Sequence, residues 1–307
     1  MIIQPDIYRL NRNPNLSPWF KEQLEKQISF GVFHNDIQGL QNALVRDLIE
    51  YKAKYGLEHV VIGISGGIDS AVTALLFKQA GWSVTGCMLP IHQDDQELER
   101  AKTFCMEQLD SWIEHDLSKQ FDALVSIMDE TISHDGLSDD KVRQGNIRAR
   151  LRMITLYDLA SKHKGLVAST DNFSELATGF WTLHGDVGDV SPIQALTKSW
   201  EVPALAEHLG VPRTIVEAVP TDGLGIANGD EDQFGFSYLE FDIALFSIIR
   251  GDVDQTKLTD EDRAIVEAVA DRVRSTTYKR TNPFNLSHPF DSVRYDELNK
   301  LDNYLRS

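Results

Sequence analysis

The 307-residue chain carries 30 basic against 47 acidic side chains, a formal net charge of −17, with 42% hydrophobic and 25% charged residues. This is the composition of a globular protein with ample chain for a core, and the acidic excess opposes generic attraction to nucleic-acid phosphates. No stretch approaches the roughly 18 apolar residues of a membrane span, and two cysteines without CxxC spacing suggest neither a disulfide framework nor a structural zinc site.

The opening MIIQPDIYRLNRNPN has no basic end, apolar run or small-residue cleavage site, so a cytoplasmic protein is expected. Residues 1–35 are interrupted by Pro5, Pro14 and Pro18 and carry a polar, helix-compatible stretch over 19–27; they read as an N-terminal arm or partner-contact segment. From Asp36 the pattern is regular. Ile37, Leu40, Leu44, Leu48 and Ile49 recur at helical spacing up to Tyr55, and Gly56 follows as a stop. Residues 59–64 form a continuous apolar run of the kind found in a strand buried on both faces.

The run breaks at Ser65-Gly66-Gly67 and restarts as a predicted helix over 69–80, closed by Gly81. Strands are expected over 83–89, 111–116 and 165–169, and helices over 96–109 and 145–163. Apolar strands alternating with helices imply an α/β fold, a doubly wound parallel sheet with helices on both faces. Ligands of such Rossmann-like sheets sit at the carboxyl ends of the strands. Segments 134–144 and 222–235 are polar and Gly-rich and read as lids or plain connections. One principal domain is expected over 36–281, and a tail over 282–307, with Pro283 and Pro289, on the surface or on a second subunit.

The strongest chemical signal is Gly63-Ile64-Ser65-Gly66-Gly67-Ile68-Asp69-Ser70, set between a buried strand and a helix. Glycines let the backbone approach an anion, Ser65 and Ser70 offer hydroxyls, and a helix start presents free N–H groups to phosphate oxygens. A kinase-type phosphate loop has lysine where Asp69 stands. A carboxylate beside phosphates instead implies a divalent cation between them.

This octet resembles the SGGxDS signature of the ATP pyrophosphatases, in the adenine nucleotide alpha-hydrolase-like superfamily, and so implies ATP as co-substrate with Mg2+. A second block, Gln144 to Met153, resembles the GNxxARxRM segment of ammonia-dependent NAD synthetases. Asn146 and Arg150 stand four apart on one helical face, where an amide and a guanidinium can converge on one ligand. A third block runs from Ser169-Thr170-Asp171-Asn172 through Gly185-Asp186-Val187-Gly188-Asp189 to Leu196-Thr197-Lys198, and is similar to the same family.

The resemblance covers roughly residues 36–281 and implies these roles. Gly63 to Ser70, Thr170, Lys198 and Thr221 would bind ATP; Asp69 and Glu175 would hold magnesium; Asn146, Arg150, Asp186, Asp189 and Lys279 would bind deamido-NAD. Asp69, Lys198 and Thr221 would serve catalysis. The implied reaction amidates deamido-NAD to NAD with ammonia, through an acyl-adenylate, releasing AMP and pyrophosphate from a homodimer that binds the acceptor at its interface. The stretch ahead of the phosphate loop is too short for a glutaminase domain, so free ammonia, or ammonia from a separate partner, is the expected nitrogen source.

Leu183, His184, Tyr278 and Met88 depart from the family's usual lysine, tyrosine, histidine and arginine. Three of these changes lie in the acceptor region, which keeps a smaller acceptor, nicotinate mononucleotide amidated to NMN, as the alternative. A tRNA-modifying ATP pyrophosphatase would need a basic face and often a catalytic cysteine, against which the charge counts. A nucleotide-binding protein without turnover would bind ATP and release no pyrophosphate.

Overall fold

His59–Gly63 (β1) is buried along its centre, and its neighbours alternate between two hydrophobic layers: Val60 and Ile62 face one side, Val61 the other. A computed structural model of the chain describes residues 16–33, 35–131, 140–218, 231 and 235–280. β1 pairs in parallel with Ser83–Met88 (β2) on one side and Leu166–Val167 (β4) on the other, and Ser111–Glu114 (β3) extends β2, giving the order β3-β2-β1-β4. This is the predicted parallel sheet.

Against the Val60/Ile62 face pack Ile37–Tyr55 (α2), Ile68–Gln79 (α3), Asp95–Gln108 (α4) and Glu201–Leu209 (α8). Against the Val61 face pack Ser118–Thr131 (α5) and Asp140–Lys162 (α6). α5 was not anticipated. β4 is shorter than the predicted 165–169, because the turn before Val190 takes over the edge bonding. Asp189 N–H donates to the Val167 carbonyl at 2.7 Å, and Ser169 N–H to Val190 at 2.8 Å. Gly188 permits that approach, since a Cβ there would run into the Val167 carbonyl.

Pro18–Ser29 (α1) lies on the chain's own third hydrophobic layer, with Trp19, Phe20 and Leu24 buried against Tyr238–Arg250 (α10) and Asp260–Ser275 (α11). Gln27 Nε2 donates to the Ile243 carbonyl at 2.9 Å and to Ser247 Oγ at 3.0 Å, fastening α1 to α10. The remaining helices are short: Phe173–Thr178 (α7), Arg213–Val216 (α9) and Thr277–Arg280 (α12). Among the described residues, no helix is long and apolar enough to cross a membrane.

Candidate active site

The carboxyl ends of β1 and β2 open into a cavity of about 450 Å³, a size suited to a small-molecule ligand. Gly63 through Asp69 line it, so the phosphate-loop candidate faces the cavity as expected. Gly66 adopts φ +87°, and a Cβ there would collide with the Glu97 carbonyl of α4, which explains the glycine sterically. Gln93 fastens the loop from the opposite side, donating to the Ser65 carbonyl at 3.0 Å. α3 begins after Gly67 with no side-chain cap on its first turn, leaving backbone N–H groups for an anion. Ser70 is buried and serves the loop itself: its hydroxyl donates to the Gly67 carbonyl at 3.0 Å.

Two further segments converge on Asp69. The capping box of α7 presents Glu175, and Asn172 Nδ2 donates to Asp69 Oδ1 at 3.1 Å. The turn before α8 presents Lys198, whose ammonium contacts Asp69 Oδ2 and sits 3.3 Å from Glu175 Oε1. All three side chains are largely buried, at 8% exposure for Lys198, 16% for Asp69 and 17% for Glu175. Two carboxylates meeting a phosphate loop suit a hard divalent cation, which commonly takes one or two carboxylates and completes its shell with phosphate oxygens and water. Among the described residues no group of three or more His, Cys, Asp or Glu side chains forms a self-sufficient metal cage. Thr170 also lines the cavity. Thr221 lies outside the described residues.

The acceptor set divides. Asn146, Asp186 and Lys279 line the same cavity. Asn146 Oδ1 accepts from Thr182 Oγ1 at 2.7 Å, and Lys279 Nζ donates to the Gly179 carbonyl at 2.7 Å. Burial lowers the Lys279 pKa, with Arg272 adding to the effect and Asp186 opposing it. Asp186 is walled by protein yet open to the cavity, and desolvation raises its pKa against the pull of Thr182, Arg152 and Lys279. Arg150 and Asp189 are placed elsewhere. Arg150 is exposed and donates to the Leu183 carbonyl at 3.1 Å, outside the cavity lining. Both Asp189 oxygens are engaged at 2.9 Å, one by Tyr157 and one by Val167 N–H.

Sequence reasoning missed Arg152, Arg100, Arg272 and Asp171, which line the cavity too. Arg152 Nε donates to the Leu89 carbonyl at 3.0 Å, and burial lowers its pKa against the charge of Asp186. Asn146, Ala149, Met153 and Leu156 mark the cavity face of α6 at helical spacing, and Arg150 and Arg152 flank that stripe at equal angles on opposite sides, so the helical pattern alone carries no signal that separates them.

A family model described as NAD synthase matches residues 40–283. The chain is 35% identical over 238 residues to an NH(3)-dependent NAD(+) synthetase of Chlorobium phaeovibrioides, covering 75% of this chain and 82% of that one. It is 32% identical over 256 residues to the enzyme so described from Methanocaldococcus jannaschii, covering 80% and 96%. Among solved structures it is similar to an NMN synthetase from Francisella tularensis, at TM-score 0.71 and 28% identity over 83% of this chain and 100% of that one. It is also similar to an NH3-dependent NAD synthetase from Campylobacter jejuni in complex with nitrate, at TM-score 0.67 and 27% identity over 82% and 100%.

Proposed function

The chain belongs to the NAD synthase family, and from that premise we propose that it amidates deamido-NAD to NAD with ammonia and ATP. The observation that carries this reading is one cavity lined by two clusters of polar side chains. In one the phosphate loop meets Asp69, Glu175 and Lys198; the other holds Asn146, Asp186 and Lys279. A nucleotide triphosphate and a pyridine carboxylate held there would face each other.

In the proposed reaction the acceptor carboxylate attacks the ATP α-phosphorus and the bond to pyrophosphate breaks, giving an acyl-adenylate. Ammonia then attacks the acyl carbon, AMP leaves and a proton is lost to the surroundings. The chain's work is positioning and charge neutralisation. Loop and first-turn N–H groups hold phosphate oxygens, and Lys198 offsets the charge that grows on the leaving pyrophosphate. Asp69 and Glu175 would hold Mg2+, which when bound neutralises phosphate charge. Thr170 and Thr221 are proposed further ATP contacts, the first supported by its place in the cavity.

A homodimer is part of the proposal. Arg150, Ile154 and Tyr157 share the exposed side of α6, with Ile154 67% exposed, an apolar stripe suited to a partner surface. On that arrangement Arg150 and Asp189 would serve an acceptor bound at the subunit boundary. A cytoplasmic location follows from the substrates, ATP and a pyridine dinucleotide. The deciding experiment supplies ATP, Mg2+ and ammonia with deamido-NAD and measures NAD and AMP. Pyrophosphate release without amide formation, or none with any pyridine acceptor, overturns the reading.

A further inference from the structure

We propose that Asp242, which does not line the cavity, is a positioning residue that aims Lys198 and Glu175 at one another; the inference rests on the reaction proposed above. Asp242 lies on α10 with no solvent exposure. Its Oδ1 accepts from Ser174 Oγ, and its Oδ2 accepts from Ser199 N–H at 3.0 Å. Ser174 Oγ in turn accepts from Lys198 N–H at 3.1 Å. One carboxylate therefore anchors two successive backbone N–H groups, one directly and one through a hydroxyl.

Those N–H groups belong to the two peptide planes that flank the Lys198 Cα. Fixing both planes fixes the direction in which the Lys198 side chain leaves the backbone. Ser174 immediately precedes Glu175 on α7, so the same carboxylate also holds the segment that presents the facing carboxylate. The ion pair at 3.3 Å between Lys198 and Glu175 is thus built on a shared foundation beneath it.

Burial argues for a purpose other than stability. A carboxylate taken out of water is costly, and desolvation pushes the Asp242 carboxyl up to about 6 despite its hydrogen bonds to Ser174 and Ser199. An apolar side chain would avoid that cost, while only an ionised carboxylate offers two acceptor oxygens without a donor. Asparagine puts an amide N–H2 where one of the two oxygens stands, so it cannot accept from the Ser174 hydroxyl and the Ser199 N–H at their separate positions.

The test compares Asp242→Asn, Ser174→Ala and their double variant with Gln27→Ala, which loosens the same helix from its other side. Wild-type NAD formation from deamido-NAD decides the underlying reading by itself. For the positioning role, kcat is expected to fall roughly 10- to 100-fold in each single variant, the range a misplaced catalytic group produces. The double variant should fall no further than the lower single, because both act through one chain of bonds. Gln27→Ala should lower the melting temperature and leave kcat within about twofold. Multiplying effects in the double variant, or an equal kcat loss in Gln27→Ala at the same melting temperature, would overturn the proposal. Should Asp242→Asn fail to fold, Ser174→Ala against Gln27→Ala makes the same comparison. If the wild type turns over no deamido-NAD, Mg-ATP titration replaces kcat. A Kd about tenfold weaker in Asp242→Asn and Ser174→Ala, but not in Gln27→Ala, supports the role, and equal Kd values defeat it.

Discussion

The Lys198 ammonium lies 3.3 Å from the Glu175 carboxylate, between it and Asp69, so the chain's own cation stands where two carboxylates would otherwise repel. Lys198→Met leaves those largely buried acids facing each other, a loss on the order of 3 kcal/mol for a broken buried pair. Thermal unfolding is expected to show that drop, and millimolar Mg2+ should restore more stability to the variant than it adds to the wild type. Turnover should fall at least about 100-fold, since the charge proposed to face the leaving group is gone. Equal Mg2+ effects on the two proteins would remove Asp69 and Glu175 as the metal ligands.

Asp242 adds a pH dependence whose sign follows from its raised pKa. Its carboxyl titrates at about 6 in the fold against an ordinary 3.8, so the native state holds the proton more tightly than the unfolded chain. Stability from this group is greatest below 3.8 and declines as pH rises through about 6. The gap corresponds to about 3 kcal/mol. Asp242→Asn lacks the effect. Urea unfolding at pH 4.5 and 7.5 should show the wild type losing stability relative to the variant over that interval. Parallel behaviour of the two proteins would mean the carboxyl is not held out of water.

Much of this architecture is legible in the sequence. β1 is buried on both faces, so it reads as a continuous apolar run, and Gly66 reads as part of a loop because a close approach to α4 demands it. What stayed hidden was set by distant contacts. Which arginine of α6 enters the cavity depends on how that helix is rotated against β1 and β4, and the Asn146/Arg150 spacing contains no such information. α5 breaks the alternation of strands and helices, since α6 and not a strand follows it, so the pattern that marks the other helices does not mark it. The layer formed by α1, α10 and α11 joins segments more than 200 residues apart, as the bond from Gln27 to Ile243 shows. Asp242 gives no local sign of its two bonds.

The described part of the N-terminal segment is expected to be structural. Phe20 is 1% exposed within the layer shared with α10 and α11. Phe20→Ala should destabilise by about 3 to 5 kcal/mol, the usual cost of emptying a buried aromatic site. Chemical denaturation gives the number directly. KM for ATP should stay unchanged at temperatures well below the new melting point, and a selective rise in KM would show that α1 reaches the cavity.

Arg152 and Arg150 make a paired test of the cavity. Arg152 faces Asp186 across it, so Arg152→Leu should lower kcat/KM for the acceptor by tenfold or more, about 1.4 kcal/mol. Arg150 is on the exposed side of α6. Arg150→Leu is therefore expected to act through the proposed subunit boundary, lowering activity together with the dimer fraction seen by analytical ultracentrifugation. Loss in Arg150→Leu with an intact dimer, and none in Arg152→Leu, would exchange their assignments.

The choice of acceptor is the sharpest test of all. Curated relatives 32% to 35% identical to this chain are named for NAD formation, whereas a solved structure of similar fold is described as an NMN synthetase. Asn146, Asp186 and Lys279, the proposed acceptor contacts, line the cavity. Leu183, where the family commonly has lysine, brings no charge, and its carbonyl accepts from Arg150. Steady-state kinetics with both acceptors should favour deamido-NAD over nicotinate mononucleotide in kcat/KM. Leu183→Lys should raise the value for deamido-NAD or leave it little changed, with no matching gain for the mononucleotide. A preference of the native chain for the mononucleotide by more than about tenfold, or about 1.4 kcal/mol, would show that Leu183 and Tyr278 decide the acceptor. Because Asp69, Glu175 and Lys198 belong to the cluster proposed to hold ATP, Lys198→Met should lower turnover at least about 100-fold with whichever acceptor is preferred.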